Sequence, residues 1–505
     1  MFIINIKIFV LFLLSFVVAD SKIIASDGNF DDRFGRAVSI TENWLAIGAN
    51  RDDDNGPNSG SVYVYSYQNS QILGEYKITA YDGDYNDFFG KSISIDGDWL
   101  VVGSLYDDVN GEKSGSVYVY YYDGSNWQFH TKLIPADGSP YDRFGYSVDI
   151  SHNNIVVGSV YDDDMGEDSG SVYVYSKNLN SWSLDDKLYS SNQQADDFFG
   201  ISLSIDLNKI VVGSVYNDQN GLNSGSVTTF SYDISNGWQE QQILLAPDGG
   251  EYDLFGNDID LHNNRLIVGA FHKDTEYINS GSVYIYDYSN DMFNFNLSIH
   301  PDDRSINDNF GLSVSVFNDY ISVGSIDDDN GINSGAVYIY KLGESSVLNQ
   351  VKYTPEDVSE YDEFSGSISL YGNQLLVGSQ FDDDLGESSG SAYITTYKGC
   401  SNELACNYSL GLLADDSECI FGINGFDCDG NCNQEIDDCG ICGGGGVNGD
   451  LNYDSDTNIL DVILVLDYIL EQNVYDFNIC SVDMNMNSIL NITDIIIMLE
   501  LILDR

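Results

Sequence analysis

The chain has 505 residues and carries 80 Asp and Glu against 20 Lys and Arg, a formal net charge of −60. That deficit of cations excludes nucleic acid and anionic membrane as partners, because holding phosphates takes Lys and Arg. With 43% hydrophobic and 13% aromatic residues the charge does not mean disorder; it suits a protein in salt or calcium-rich water, where self-repulsion is screened.

Residues 1–19 read as a secretory signal: Lys7, an apolar run Ile8–Val18, and Val17-Val18-Ala19 before the cleavage point. The alternative is a membrane anchor, but the run is short of the roughly 20 residues needed to span. Nothing later in the chain is long enough to cross a membrane. The expected location is secreted, extracellular or cell-surface.

From residue 20 a unit of about 55 residues occurs seven times, marked by Phe34-Gly35, Phe89-Gly90, Phe144-Gly145, Phe199-Gly200, Phe255-Gly256, Phe310-Gly311 and Phe364-Ser365-Gly366. In the second unit, Lys77–Ala80, Ser92–Ile95, Trp99–Gly103 and Ser116–Tyr122 read as strands, with a tight hairpin at Asp96-Gly97-Asp98. Four strands per unit make one propeller blade. In Ser116-Val-Tyr-Val-Tyr120 one face is Val and the other Tyr, so both faces must be covered. Unit seven ends at Tyr393–Tyr397 without a fourth strand, while Lys22–Ala25 precedes unit one. The N-terminal strand is therefore expected to close the last blade and leave no free edge.

These markers resemble the FG-GAP repeat family of integrin α-like propellers, with Val102-Gly103-Ser104 or Ile47-Gly48-Ala49 standing where the family has Gly-Ala-Pro. The resemblance covers residues 22–397 and implies a seven-bladed β-propeller that binds a ligand. Integrin-type repeats carry a calcium loop between the two motifs; here that interval holds only the hairpin.

An Asp stands two residues before each Phe: Asp32, Asp87, Asp142, Asp197, Asp253, Asp308 and Asp362. Another recurs in every loop after the second Gly: Asp53, Asp108, Asp163, Asp218, Asp274, Asp328 and Asp383. Both loops fall on one face of a propeller. Asp at such positions bonds back to its own turn; the alternative is divalent-cation binding through oxygen-rich loops, which would fail first at Lys273 in unit five. No catalytic constellation emerges: His130, His152, His262, His272 and His300 show no metal-ligand spacing, and no carboxylate pair can be singled out as glycosidase-like.

At Cys400 the composition changes. Cys400, Cys406, Cys419, Cys428, Cys432, Cys439 and Cys442 lie among Gly, Asn and Asp, followed by the linker Gly443–Gly446. In an exported chain this reads as a disulfide framework, with Cys480 tying the last module back to it; the alternative is zinc at Cys439-x-x-Cys442.

Residues 450–461 have the spacing of a 12-residue calcium loop, with Asp450, Asn452, Asp454, Asn458 and Asp461 at positions 1, 3, 5, 9 and 12 and the carbonyl of Asp456 at position 7. Residues 483–494 repeat it with Asp483, Asn485, Asn487, Asn491 and Asp494 and the carbonyl of Ile489. Helices are expected at Val462–Leu470 and Ile495–Leu503. The bland alternative is an acidic linker before two core helices. The pair resembles a type I dockerin over residues 447–505. That implies bound Ca2+ and docking to a cohesin-like partner, typically in polysaccharide-degrading assemblies. The positions dockerins use for partner choice are here Ile459-Leu460 and Ile492-Thr493.

The expected fold is thus mainly β. A signal (1–19) precedes a seven-bladed propeller (20–398), a small disulfide-rich neck (399–446) and a small α-helical calcium module (447–505). The expected function is a secreted binding or adhesion protein, not an enzyme, whose propeller takes an unknown protein or glycan. The rivals are an enzyme of extracellular polysaccharide breakdown and a purely structural surface protein.

Overall fold

The computed structural model describes residues 21–68, 71–326, 331–399, 413–414, 457–471, 482–485 and 490–503. The signal sequence, all eight cysteines, Asp328 and part of the calcium loops lie outside them.

Seven four-stranded antiparallel sheets form the propeller. Blade 2 shows the plan: inner strand Phe89–Asp96, second strand Trp99–Ser104, third strand Ser116–Tyr122 and outer strand Trp127–Leu133. Asp96 pairs with Trp99, so Gly97-Asp98 is a two-residue hairpin loop. The outer strands differ from expectation. The segment expected at Lys77–Ala80 is the end of Gln71–Ile78, the outer strand of blade 1. Its first residues, Gln71, Ile72, Leu73 and Glu75, are solvent-exposed, so they do not alternate as a half-buried strand does in the sequence.

Blade 7 is completed from the other end of the chain. Ser21, Lys22 and Ile23 pair antiparallel with Ile394, Tyr393 and Ala392. The strand is three residues long and stops at Ile23.

The two faces of each third strand are covered by neighbouring blades. Val62 and Val64 of blade 1 share a buried cluster with Phe89, Tyr118 and Tyr120 of blade 2, and the same arrangement recurs around the ring. Each marker Phe is fully buried; six meet a Tyr edge-on, as Phe89 does Tyr118 at 5.3 Å between ring centroids, and Phe199 meets Phe230 at 6.2 Å. Burying one such ring contributes about 1.5–3 kcal/mol.

The backbone seam between blades explains the glycines. The N–H of every marker Phe donates to the carbonyl of a Ser in the preceding blade, from Phe34 to Ser389 (3.0 Å) through Phe144 to Ser114 (2.9 Å) to Phe364 to Ser334 (3.0 Å). At Gly115 a Cβ would stand 2.1 Å from the Phe144 carbonyl oxygen, and φ is +83°. At Gly103 it would stand 2.2 Å from the Gly145 carbonyl oxygen. Only a residue without a side chain lets the blades approach this closely.

In the tail, α1 (Ile459–Glu471) and α2 (Ile492–Leu503) each begin three residues before the expected start. Asn458 and Asn491 cap them: the Asn458 side chain accepts the Leu460 N–H at 2.9 Å, and Asn491 accepts the Thr493 N–H at 2.9 Å. Asp461 and Asp494 close each capping box by accepting the Asn458 and Asn491 N–H groups. Val462, Val465, Val482, Ile495 and Met498 form the buried core of the tail. Among the described residues no helix is long and apolar enough to cross a membrane.

The seam makes a testable claim. Gly115→Ala should cost about 3 kcal/mol, from the left-handed backbone and the clash with Phe144 together. All five tryptophans (Trp44, Trp99, Trp127, Trp182, Trp238) lie in the propeller, so fluorescence-monitored urea unfolding reads this loss directly. Unchanged stability would show that the blades are not held by this contact.

Candidate functional site

The acidic loops on the Phe-Gly face turn out to be self-satisfied. All seven Asp that precede the Phe by two are buried. Each accepts the N–H three residues upstream, as Asp32 does from Asn29 and Asp142 from Ser139, both at 2.7 Å. Burial pushes Asp32 up to about 7 and Asp142 to about 6, against the pull of these hydrogen bonds. The six described Asp of the second set each accept the N–H five residues downstream, as Asp108 does from Lys113 at 2.7 Å. Turn chemistry therefore accounts for thirteen of the fourteen, the other being Asp328.

A third set of acids carries an ionic cluster that sequence reading missed. In blade 1 the Lys77 ammonium lies 2.7, 2.8 and 2.7 Å from Asp27, Asp52 and Asp54, and the Tyr63 hydroxyl donates to Asp27 (2.6 Å) and Asp52 (3.1 Å). Lys132 repeats this in blade 2 with Asp82 and Asp107, and Lys187 in blade 3 with Asp137, Asp162 and Asp164. In blade 7 the cation is Lys22, 2.7 Å from both Asp382 and Asp384, supplied by the strand that closes the ring. Burial opposes the charge on Lys77, but its three carboxylates outweigh that and hold its pKa above the usual value. Burial likewise pushes Asp27 up, and the Lys77 and Tyr63 hydrogen bonds outweigh it and hold the carboxyl below its usual range.

The exceptions follow the same logic. Blade 4 has Asn192, Asn217, Thr228 and Ile243 at the equivalent positions, so every charge is gone together. In blade 5 the strand position holds Ser298, and the cation comes from the loop: Lys273 reaches the Asp248 carbonyl at 2.6 Å and Asp253 at 3.0 Å. An ammonium thus stands where a divalent ion would sit. Among the described residues no group of three or more His, Cys, Asp or Glu side chains is arranged to hold a metal ion. The signal was present in the sequence as a fixed interval of fourteen residues from Tyr to Lys: Tyr63 to Lys77, Tyr118 to Lys132, Tyr173 to Lys187 and Tyr338 to Lys352.

Above this layer, half-exposed rings and guanidinium groups form a continuous collar. The Arg33 guanidinium lies 4.7 Å from the centroid of the Phe381 ring. Asp31 joins Arg33 (3.0 Å) to Arg51 (2.6 Å), and Arg51 faces Phe88. Phe88 packs on Tyr106 at 5.2 Å. Arg143 sits between Tyr106 (5.2 Å) and Tyr161 (3.9 Å). Tyr161, Phe198 and Tyr216 continue the stack at 4.8 and 5.0 Å. The collar runs from blade 7 through blade 4. The residue before the marker Phe in blades 1 to 4, Arg33, Phe88, Arg143 and Phe198, has positive φ of 53–58°. Such backbone costs of order 1 kcal/mol per non-glycine residue, and it turns these side chains out to the collar.

Inside the collar lies the central channel, a cavity of about 620 Å³ lined by the inner strands of all seven blades. Its wall is a closed ring of hydrogen bonds in which Ser39, Ser94, Asp149, Ser204, Asp260, Ser315 and Ser369 each accept a backbone N–H of the next blade. Burial pushes Asp149 and Asp258 up to about 7.

In the tail, Asp450, Asn452, Asp454, Asp456, Asn487 and Ile489 lie outside the described residues. Asp461, Asp483 and Asp494 are buried. The Asn485 amide donates to Asp494 at 2.7 Å, so positions 3 and 12 of the second loop are brought together. The side-chain oxygens of Asp483, Asn485, Asn491 and Asp494 are of the kind a hard cation such as calcium takes, although in this arrangement Asn485 turns its amide N–H, not its oxygen, to Asp494.

The FG-GAP repeat profile matches residues 18–65, 74–120, 127–175, 182–230, 238–286, 294–340 and 348–395. This is a ligand-binding or adhesion-type β-propeller, and the chain belongs to the FG-GAP repeat family. Each match takes in the outer strand of one blade and the first three strands of the next. No curated protein matches the chain.

Lys187→Met would leave Asp137, Asp162 and Asp164 together around a half-dry site and should cost about 3 kcal/mol. Converting blade 3 to the blade 4 set (Asp137→Asn, Asp162→Asn, Tyr173→Thr, Lys187→Ile) should recover most of that loss. The comparison is urea unfolding by tryptophan fluorescence; a single variant as stable as the parent would refute the role of the ammonium.

Proposed function

We propose that this protein is a secreted, non-enzymatic binding module whose propeller takes a glycan or protein ligand at the collar and whose tail is a calcium-dependent docking unit. The observation that carries the first half is the collar itself. Phe88, Tyr106, Tyr161, Phe198 and Tyr216 keep their rings half-exposed around the channel entrance, interleaved with Arg33, Arg51 and Arg143. The faces that these contacts leave open to solvent are available, and stacking and cation–π contacts are what ligands use on such surfaces. Export is supported by the apolar N-terminal run, and the acidic surface suits extracellular salt.

The test is direct. Phe88→Ala with Tyr161→Ala should abolish capture of ligand on glycan and protein arrays while leaving the unfolding midpoint within about 1 kcal/mol of the parent. Undiminished capture would place the site elsewhere.

For the tail, two calcium ions are expected, one on Asp450, Asn452, Asp454, Asp456, Asn458 and Asp461, the other on Asp483, Asn485, Asn487, Ile489, Asn491 and Asp494. Calcium would draw each loop around an ion and so fix the approach of α1 to α2 and their shared core. The partner reading is a cohesin-like protein. Calorimetry on the full chain should count two ions, with the first loop, richer in carboxylates, filling at lower calcium; Asp461→Ala should abolish its site. Absence of calcium binding at millimolar levels would remove the docking reading while leaving the propeller reading intact.

A further inference from the structure

Twenty cations serve eighty acids in this chain, and seven of the lysines and arginines already described are held by carboxylates in the blade clusters and the collar. Two are not. Arg36 and Lys91 occupy the same position, two residues after the marker Phe, in adjacent blades 1 and 2, and both line the central channel. Among the described residues neither has a carboxylate within ion-pairing distance. Lys91 has only the Tyr146 ring, at 5.0 Å. Glu363, an acid whose charge favours that of Arg36, accepts the Gln380 amide at 2.9 Å. Two neighbouring half-buried cations without counter-ions are costly, and in a chain this acidic a carboxylate could have been placed beside them.

The hydrogen bonds of the channel wall add direction. The Ser94 hydroxyl donates to Asp149 and the Ser315 hydroxyl to Asp260, so their protons are used. Ser39 and Ser369, in blades 1 and 7, only accept from Ile95 and Ile40, which leaves each a proton to donate. Free donors and the two cations therefore lie in blades 7, 1 and 2, together with one lining carboxylate, Glu363, which the Gln380 amide engages, while Asp149, Asp258 and Asp260 lie in blades 3 and 5.

We propose that the channel mouth is a binding site for an anionic, polyhydroxylated ligand, an acidic or sulfated sugar unit, whose carboxylate or sulfate is held by Arg36 and Lys91. Arg36 offers the planar fork that grips an oxyanion through two hydrogen bonds, and Lys91 adds a point charge. Ser39 and Ser369 donate to the same end, and the carboxylates across the channel accept the ligand's hydroxyl protons. The cavity, about 620 Å³, is of the size that takes a small ligand. Burial and the neighbouring Arg36 charge lower the Lys91 pKa well below its usual value; burial likewise lowers that of Arg36. A bound anion would relieve both. The proposal deepens the collar reading and rests on it, since the collar borders the entrance along blades 7 to 4, the side that carries Arg36 and Lys91.

Calorimetry on the full chain tests it with four probes: glucuronate, galactose 6-sulfate, neutral glucose and inorganic sulfate. Glucuronate or galactose 6-sulfate should bind at millimolar concentration, and which of them does so separates carboxylate from sulfate ester. Glucose should not bind, and inorganic sulfate should compete. The double variant Arg36→Gln, Lys91→Gln should weaken binding at least tenfold, yet unfold without ligand at or above the parent's midpoint, because a repulsion has been removed. The anionic probe should raise the midpoint of the parent and not of the variant. Equal binding of glucose and glucuronate, or binding unaltered in the double variant, overturns the anionic site while the collar reading stands. Failure of every anionic probe at millimolar concentration also overturns it; array capture lost on Phe88→Ala with Tyr161→Ala then still supports the collar, and capture retained refutes the collar separately.

Discussion

Everything in the propeller depends on one contact, the hydrogen bond from a marker Phe N–H to a Ser carbonyl of the preceding blade, with a glycine beside it. It is made seven times. It sets the distance between blades, and the side chains that pack at that distance follow: Val on one face, Tyr on the other, and a fully buried Phe at the start of each inner strand. A methyl group at Gly115 would overlap a backbone oxygen of the next blade, and a backbone cannot yield as a side chain can. The ring of Ser and Asp around the channel is a second set of seven bonds, made only because the first set brings the inner strands into register.

The ionic clusters show how a chain of net charge −60 remains compact. Each blade that keeps three facing acids also keeps a lysine among them. Blade 4 loses acid, tyrosine and lysine together, and blade 5 moves its lysine from strand to loop. One ammonium therefore offsets part of the negative charge wherever acids converge, blade by blade, while the surface as a whole stays strongly acidic. The same economy makes Arg36 and Lys91 informative, because they lie outside any such balance.

The two halves of the chain use Asp for different ends. In the propeller, Asp satisfies its own turn or a lysine. In the tail, Asp461 and Asp494 close capping boxes from buried positions, and the Asn485 amide is drawn to Asp494. Acidic spacing thus serves turn geometry in the propeller and helix capping in the described part of the tail. The Phe-Gly period alone could not tell these uses apart; the hydrogen-bond partners of each carboxylate do.

The amino-acid sequence by itself determined the number of blades, the four-strand unit, the Gly97-Asp98 type of hairpin and the closing strand at Lys22, because these follow from a fixed period and from turn chemistry that acts within a few residues. It also located two helices in the tail, though their starts were missed by three residues, since Asn458 and Asn491 read as calcium positions and not as caps. The N-terminal halves of the outer strands, such as Gln71–Glu75, left no signal because they are mostly exposed and owe their structure to backbone pairing. Only the tertiary structure decided that Lys77 meets Asp27 and Asp52, that Arg143 lies between Tyr106 and Tyr161, and that Arg36 and Lys91 share one cavity. Those groups come from different strands, loops and blades. Their meeting depends on strand register and on closure of the ring, which are properties of the folded whole and of no local stretch of chain.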